Sequence, residues 1–177
     1  MVQEIEIKAL LTKEKYEELK RTLPVKFRKV NEDSVTTVKF TPKDVRVRYS
    51  EKLREVVFKA MDDPTMLSRK EISINLKDID DCHRMVELLS DLGLEQHPSW
   101  TTERADFVSN VEGNEYVISL QYIPNFAYIL EAEILSDDFA MHIPVLRKIV
   151  SGLGCEPLDS DDFKSRIKEY IEKFSKK

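Results

Sequence analysis

Glu4-Ile5-Glu6-Ile7-Lys8 is the stretch whose reading decides the fold. Charged and apolar residues alternate with the two-residue period of a half-buried strand, so Glu4, Glu6 and Lys8 share one face and Ile5 and Ile7 the other. The same alternation returns near the other end of the strand-rich region, where Glu131 and Glu133 oppose Ala132 and Ile134. Between them, Arg46 and Arg48 oppose Val45 and Val47, and Arg69, Glu71, Ser73 and Asn75 oppose Ile72, Ile74 and Leu76. Ser119 and Gln121 oppose Ile118 and Leu120.

Taken singly, each polar face reads as the wet side of an antiparallel sheet. The residue choice argues otherwise collectively. Solvent faces mix charges, whereas here the pairs Glu4/Glu6, Arg46/Arg48 and Glu131/Glu133 each carry one sign. Like charges two apart gain nothing locally, and they make sense around a ligand of opposite charge. Carboxylate pairs suit Mg²⁺ or Mn²⁺, hard ions that prefer oxygen. Arginine pairs suit phosphate, because the guanidinium fork meets two oxygens at once. A barrel of about eight strands has room for one small ligand, with the polar face as its lumen.

Outward from these strands, the pattern predicts an α+β chain built on a large antiparallel sheet. Strands are expected at 35–40, 45–49, 55–60, 69–76, 100–108, 116–122 and 128–135, with a hairpin turn over 110–114. A helix is expected after Thr12, ended by Pro24, and another carries Cys82, Met85, Val86, Leu89 and Leu92, closed by Gly93. Two further apolar stripes follow: Phe139, Ile143, Leu146 and Val150, then Phe163, Ile167, Tyr170 and Phe174.

Composition bounds the function. The chain has 177 residues, 41% hydrophobic and 34% charged, with a net charge of −5. That length suits a single domain with a real core. The acidic balance offers no track for an RNA backbone, so nucleic acid is not expected as a partner. No signal peptide and no membrane helix is read, and Cys82 and Cys155 stand isolated; the expectation is a cytoplasmic protein with reduced thiols and no membrane association. Glycines number only four, too few for a glycine-rich phosphate loop, so a phosphate site must be made of side chains. His83, His97 and His142 have no partner ligands nearby in sequence and read as surface residues.

The order of the charged strands resembles the CYTH superfamily, the triphosphate tunnel metalloenzymes, from residue 4 to about 135. Glu4-Ile-Glu6-Ile-Lys8 is similar to its E-x-E-x-K signature, Arg46-Val-Arg48 to its R-x-R strand, and Lys59 to the lysine of its T-x-K strand. Arg69-Lys-Glu71 resembles R-x-E, Arg104 the arginine of K-x-R, and Glu131-Ala-Glu133 the closing E-x-E. The helix ending Leu92-Gly93-Leu94 is similar to the class IV adenylate cyclase-like branch. Departures exist: Gln121 stands where the family usually has an aspartate, and Val38-Lys39-Phe40-Thr41-Pro42 replaces Tyr-x-Asp-Thr-Pro. Asn125-Phe126-Ala127-Tyr128 replaces the usual Leu-Gly-x-Phe. The thiamine triphosphatase branch places a tryptophan just before R-x-R; Asp44 lies there instead, which disfavours a thiamine substrate.

The resemblance implies a closed eight-stranded barrel spanning about 2–135, helices outside it and a helical tail over about 137–176. It implies metal ligands Glu4, Glu6, Glu131 and Glu133, with Mg²⁺ or Mn²⁺ as cofactor. Glu4, Glu6, Lys8 and Glu71 would form the catalytic group, and Lys8, Arg46, Arg48, Lys59, Arg69 and Arg104 would grip the phosphates. The activity expected is metal-dependent hydrolysis of inorganic or nucleoside triphosphate. The alternatives are a class IV adenylate cyclase making cyclic AMP, or a catalytically weak nucleotide- or polyphosphate-binding module, which Gln121 favours. A homodimer is implied by the resemblance alone.

Overall fold

The computed structural model describes residues 3–59, 68–69 (by their backbone), 71–158, 162–163 and 165–166. The elements run β1 (Gln3–Leu11), α1 (Lys13–Lys26), β2 (Arg28–Thr41), β3 (Asp44–Tyr49), β4 (Arg54–Lys59), β5 (Ser68–Arg69), β6 (Glu71–Asn75) and α2 (Ile79–Asp91). They continue with β7 (Glu95–Gln96), β8 (Trp100–Val111), β9 (Asn114–Ile123), β10 (Ala127–Ser136) and α3 (Phe139–Gly152). The strands form one antiparallel sheet in the order β5-β1-β10-β9-β8-β2-β3-β4-β6, with β7 on β2.

The α+β character and the large antiparallel sheet are as expected; the described residues give ten strand segments where eight strands were expected, and no ladder among them joins the two ends of the order. The strand expected over 69–76 is described on either side of Lys70, which lies outside the described residues. Its first part pairs with β1, through Glu4 opposite Arg69, and its second with β4, through Lys59 opposite Glu71.

One face of the sheet is apolar and carries the helices. Ile5, Ile7, Ala9 and Leu11 of β1, Ile118 of β9 and Leu130 and Ala132 of β10 pack against Tyr16, Leu19 and Leu23 of α1 and Leu146 and Val150 of α3. Full burial of each large aliphatic side chain stabilises by about 1.5–3 kcal/mol. Cys82 of α2, with Met85, Val86 and Leu89 beside it, covers Val38, Phe40 and Val47 on the other half of the sheet. The opposite face is the one that holds Glu4, Glu6 and Lys8.

Local signals account for most boundaries. Thr12 caps α1, accepting from the Lys15 amide at 3.2 Å. The expected stop at Pro24 is passed by two residues: proline forfeits one backbone bond, and the Phe27 amide closes the turn on the Leu23 carbonyl at 2.9 Å. The β8–β9 turn uses Glu112 (φ 51°) and Gly113 (φ 81°), the left-handed pair that matches strand twist. β2 begins seven residues before the expected strand, because Arg28–Ser34 lacks apolar alternation and is held by its ladder to β8. The histidine reading is corrected at His142, which is 4% exposed and bonds the Tyr116 hydroxyl through Nδ1 at 2.8 Å beneath α3. No helix among the described residues is long and apolar enough to cross a membrane. The stripe from Ile167 to Phe174 lies outside the described residues.

Candidate active site

Because strand side chains alternate, every second residue of seven strands projects into one cavity of about 840 Å³. β1 contributes Glu4, Glu6 and Lys8, β3 contributes Asp44, Arg46 and Arg48, and β4 contributes Glu55 and Lys59. Thr102, Arg104 and Asp106 come from β8, Gln121 from β9 and Glu131 from β10.

At one end three carboxylates converge. One oxygen from each of Glu4, Glu6 and Glu133 lies within 4.8 Å of the others. Register causes this: Glu6 stands directly opposite Glu133, and Glu4 is two residues along the same face. Like charges so placed repel. Burial, together with the charges of Glu131 and Glu4, pushes the Glu133 carboxyl well above its ordinary range despite Arg104 nearby. A hard divalent cation is the natural partner for such a cluster, since it accepts several oxygens and removes the repulsion.

Glu131 behaves differently from the other expected ligands. It stands opposite Lys8 and is ion-paired with the Lys8 ammonium. Burial opposes its charge, but Lys8 and Arg104 outweigh that and hold its carboxyl below the ordinary range. Burial likewise opposes the charge on Lys8, and Glu131 and Glu6 reverse this and raise it. The four expected ligands thus divide into a cluster of three and Glu131 beside it, with the Lys8 ammonium shared between Glu131 and Glu6, the latter at 2.7 Å.

Five of the expected phosphate-binding cations, Lys8, Arg46, Arg48, Lys59 and Arg104, line the same cavity. Each of the five is already matched to a carboxylate. Arg46 makes a two-pronged pair with Asp44 at 2.8 and 2.9 Å. Arg48 pairs with Glu55 at 2.6 Å and lies 3.8 Å from Glu71. Lys59 bridges Glu4 and Glu71, both at 2.8 Å. Arg104 donates to Asp106 at 2.6 Å and reaches Glu133 at 3.3 Å. The buried Arg48 Nε has no hydrogen-bond partner among the described residues. The Arg69 side chain lies outside the described residues; its backbone places it opposite Glu4.

Asp44, Glu55 and Asp106 are site residues that the strand motifs did not single out. All three are buried. Their phase could have found Asp44 and Asp106, which sit two residues from Arg46 and Arg104. Glu55 requires knowledge of register, because it faces Arg48 across the β3–β4 ladder. Asp106 also accepts from Ser119 Oγ at 2.6 Å and Asn31 Nδ2 at 3.0 Å. It stands one ladder step from Gln121, which lies opposite Arg104. A carboxylate therefore adjoins the place where Gln121 lacks one.

No protein-family model matches the sequence, and no curated protein does. Solved structures do. The PH1819 protein of Pyrococcus horikoshii superposes with a TM-score of 0.70 at 21% identity, covering 94% of this chain and 98% of that one. A candidate adenylate cyclase from Vibrio parahaemolyticus gives 0.62 at 16% identity, over 87% and 90%. A candidate adenylyl cyclase from Hippeastrum, described as having a dominant triphosphatase activity, gives 0.57 at 13% identity, over 87% and 88%. At these identities the likeness is one of fold.

Proposed function

We propose that this chain, which has the CYTH-like fold, is a divalent-metal-dependent phosphohydrolase that takes a triphosphate into its polar cavity. The observation that carries the reading is the meeting, on the wall of one cavity, of Glu4 and Glu6, which converge with Glu133, and of Lys8, Arg46, Arg48, Lys59 and Arg104. One end suits a cation and the rest suits an oxyanion chain. The reading includes closure of the sheet into a tunnel, supported by the Lys59–Glu4 ion pair at 2.8 Å and by β5 and β6 lying one residue apart at the two ends of the strand order.

Glu4, Glu6 and Glu133 would hold Mg²⁺ or Mn²⁺, which when bound neutralises phosphate charge and makes water a better nucleophile. Arg46, Arg48 and Arg104 present guanidinium forks to the non-bridging phosphate oxygens. Lys8 and Lys59 add point charges, and both stay protonated because the glutamates around them outweigh their burial. Phosphoryl transfer asks little more of a protein than this positioning and charge stabilisation.

Incubation with inorganic triphosphate and Mg²⁺ or Mn²⁺ tests the reading: orthophosphate should appear only with metal, and Glu4→Gln should abolish it. Turnover unaffected by Glu4→Gln would refute the assignment. A class IV adenylate cyclase is the second reading, supported by the fold likeness to the Vibrio protein; it would yield cyclic AMP and pyrophosphate from ATP. A binding module of low turnover is the third, supported by Gln121 and by the carboxylate already paired with each cation.

A further inference from the structure

Asp106 of β8 is gripped from both neighbouring strands. Across the β2–β8 ladder it stands opposite Asn31, and across the β8–β9 ladder opposite Ser119. Asn31 Nδ2 donates to Oδ2 at 3.0 Å and Ser119 Oγ to Oδ1 at 2.6 Å. Ser119 is fully buried and Asp106 is 7% exposed, so the carboxylate has little freedom to turn. Two residues away on the same strand face, Arg104 donates its Nε to Oδ1 at 2.6 Å. Asp33, which stands directly opposite Arg104 on β2, is engaged elsewhere: it accepts from the Ser34 amide and the Ser50 hydroxyl.

Arg104 differs from Arg46 in how much of its fork is taken. Asp44 accepts from both Nε and Nη2 of Arg46. Asp106 accepts from Nε of Arg104, while Nη2 extends to Glu133 of the carboxylate cluster at 3.3 Å. A charge-assisted N–H···O bond is ordinarily about 2.7–2.9 Å long, so the contact with Glu133 is loose and yields to a better partner for that carboxylate. Burial opposes the charge on Arg104, and Glu131, Glu133 and Asp106 outweigh it.

We propose that Asp106 is a positioning residue: it fixes the root of the Arg104 guanidinium, so that the terminal nitrogens pass from Glu133 to a phosphate oxygen when a divalent cation takes up Glu133. This rests on the triphosphate reading above and names the residue that makes Arg104 answer to the metal. An arginine loose at every torsion would lose side-chain freedom on gripping phosphate. Without its anchor it would also be drawn onto Glu131 and Glu133. Held at Nε, it keeps the other edge of its planar fork aimed into the cavity. The charge of Asp106 acts the other way. A carboxylate beside a polyanion repels it, so removing the charge alone would tighten binding. Position and charge therefore predict opposite signs.

Calorimetric titration of inorganic triphosphate, with Mn²⁺ present, separates the two. D106E keeps the charge and displaces the carboxylate by one methylene. It should weaken binding about tenfold, the scale of one charge-assisted hydrogen bond. D106N keeps the position and an oxygen for Arg104 Nε while removing the charge, and should bind within about threefold of the native protein. In an R104A background D106E should cost nothing further, since its effect acts through Arg104. Native affinity in D106E, a D106N affinity outside that range, or an undiminished D106E loss in the R104A background would overturn the proposal. Should D106E fail to melt cooperatively, S119A takes its place, because it leaves the carboxylate and removes one donor that fixes it. S119A should bind about threefold more weakly than the native protein and cost nothing further with R104A; native affinity in S119A would overturn the proposal. R104A binding as tightly as the native protein overturns this proposal alone, whereas failure of the native protein to bind triphosphate overturns the triphosphate reading and this one with it.

Discussion

The Lys59 ammonium on β4 lies 2.8 Å from the Glu4 carboxylate on β1, although these strands are at opposite ends of the hydrogen-bonded order. The same ammonium is 2.8 Å from Glu71. One lysine therefore ties the first strand to β4 and β6. Burial opposes its charge, and Glu4, Glu6 and Glu71 outweigh that and raise its pKa.

Lys59→Ala should lower the stability of the metal-free protein by about 2 kcal/mol, below the usual cost of breaking a fully buried pair because the site keeps some solvent. It removes the ammonium that Glu4 and Glu71 share. Adding Mn²⁺ should recover part of the loss, since a cation among the glutamates replaces the missing ammonium. Thermal melts with and without Mn²⁺ decide this; a loss that Mn²⁺ leaves unchanged contradicts it.

Glu133→Gln should act with opposite signs on stability and on metal binding. The Glu133 carboxyl is raised in the fold by burial and by Glu131. A raised acid binds its proton more tightly folded than unfolded, so its contribution to stability falls as pH rises from the ordinary carboxyl range, 4.5, toward the folded value. Removing the charge should therefore stabilise the metal-free protein at neutral pH, by about 1 kcal/mol, and flatten that part of the pH profile. It should also weaken Mn²⁺ binding. In the native protein, Mn²⁺ affinity should rise with pH over the same window, because metal and proton compete. Denaturant melts across pH and a Mn²⁺ titration check both halves; a destabilised metal-free variant would refute the repulsion.

The Glu4, Glu6 and Lys8 face was legible in the sequence because a strand's period of two leaves no choice of phase, and Ile5 and Ile7 mark the buried side. Glu133 was legible for the same reason. Its separation in role from Glu131 was not, since that depends on which residue of β1 each one faces. Glu6 lies opposite Glu133 and Lys8 opposite Glu131; a register shifted by two would exchange the roles. Glu55 was hidden for a like reason, its partner being across a ladder. His142 was misread because an isolated histidine gives no sign of a tyrosine 26 residues away reaching it from β9.

Tyr116→Phe should cost about 1–2 kcal/mol, because it leaves the buried His142 Nδ1 without its partner. The pair lies under α3, on the apolar face of the sheet, so binding of inorganic triphosphate should be unchanged. A chemical denaturation midpoint and a binding isotherm test the two statements; loss of binding without loss of stability would place Tyr116 in the site.

Six cations of the cavity wall come already paired with carboxylates, and Lys52 is held by the Glu32 carbonyl. Lys8, Lys39, Arg46, Arg48, Lys59 and Arg104 each have a carboxylate within 4.0 Å. A polyanion entering alone would have to displace those carboxylates and would meet the Glu4/Glu6/Glu133 cluster as well. Cation and triphosphate should therefore bind as a linked pair. Calorimetric titration of inorganic triphosphate into the protein, with and without Mn²⁺, tests this most directly. The account predicts micromolar binding with Mn²⁺ and binding at least a hundredfold weaker without it, a coupling of about 2.7 kcal/mol. Equal affinity in both conditions, or no binding in either, would contradict it.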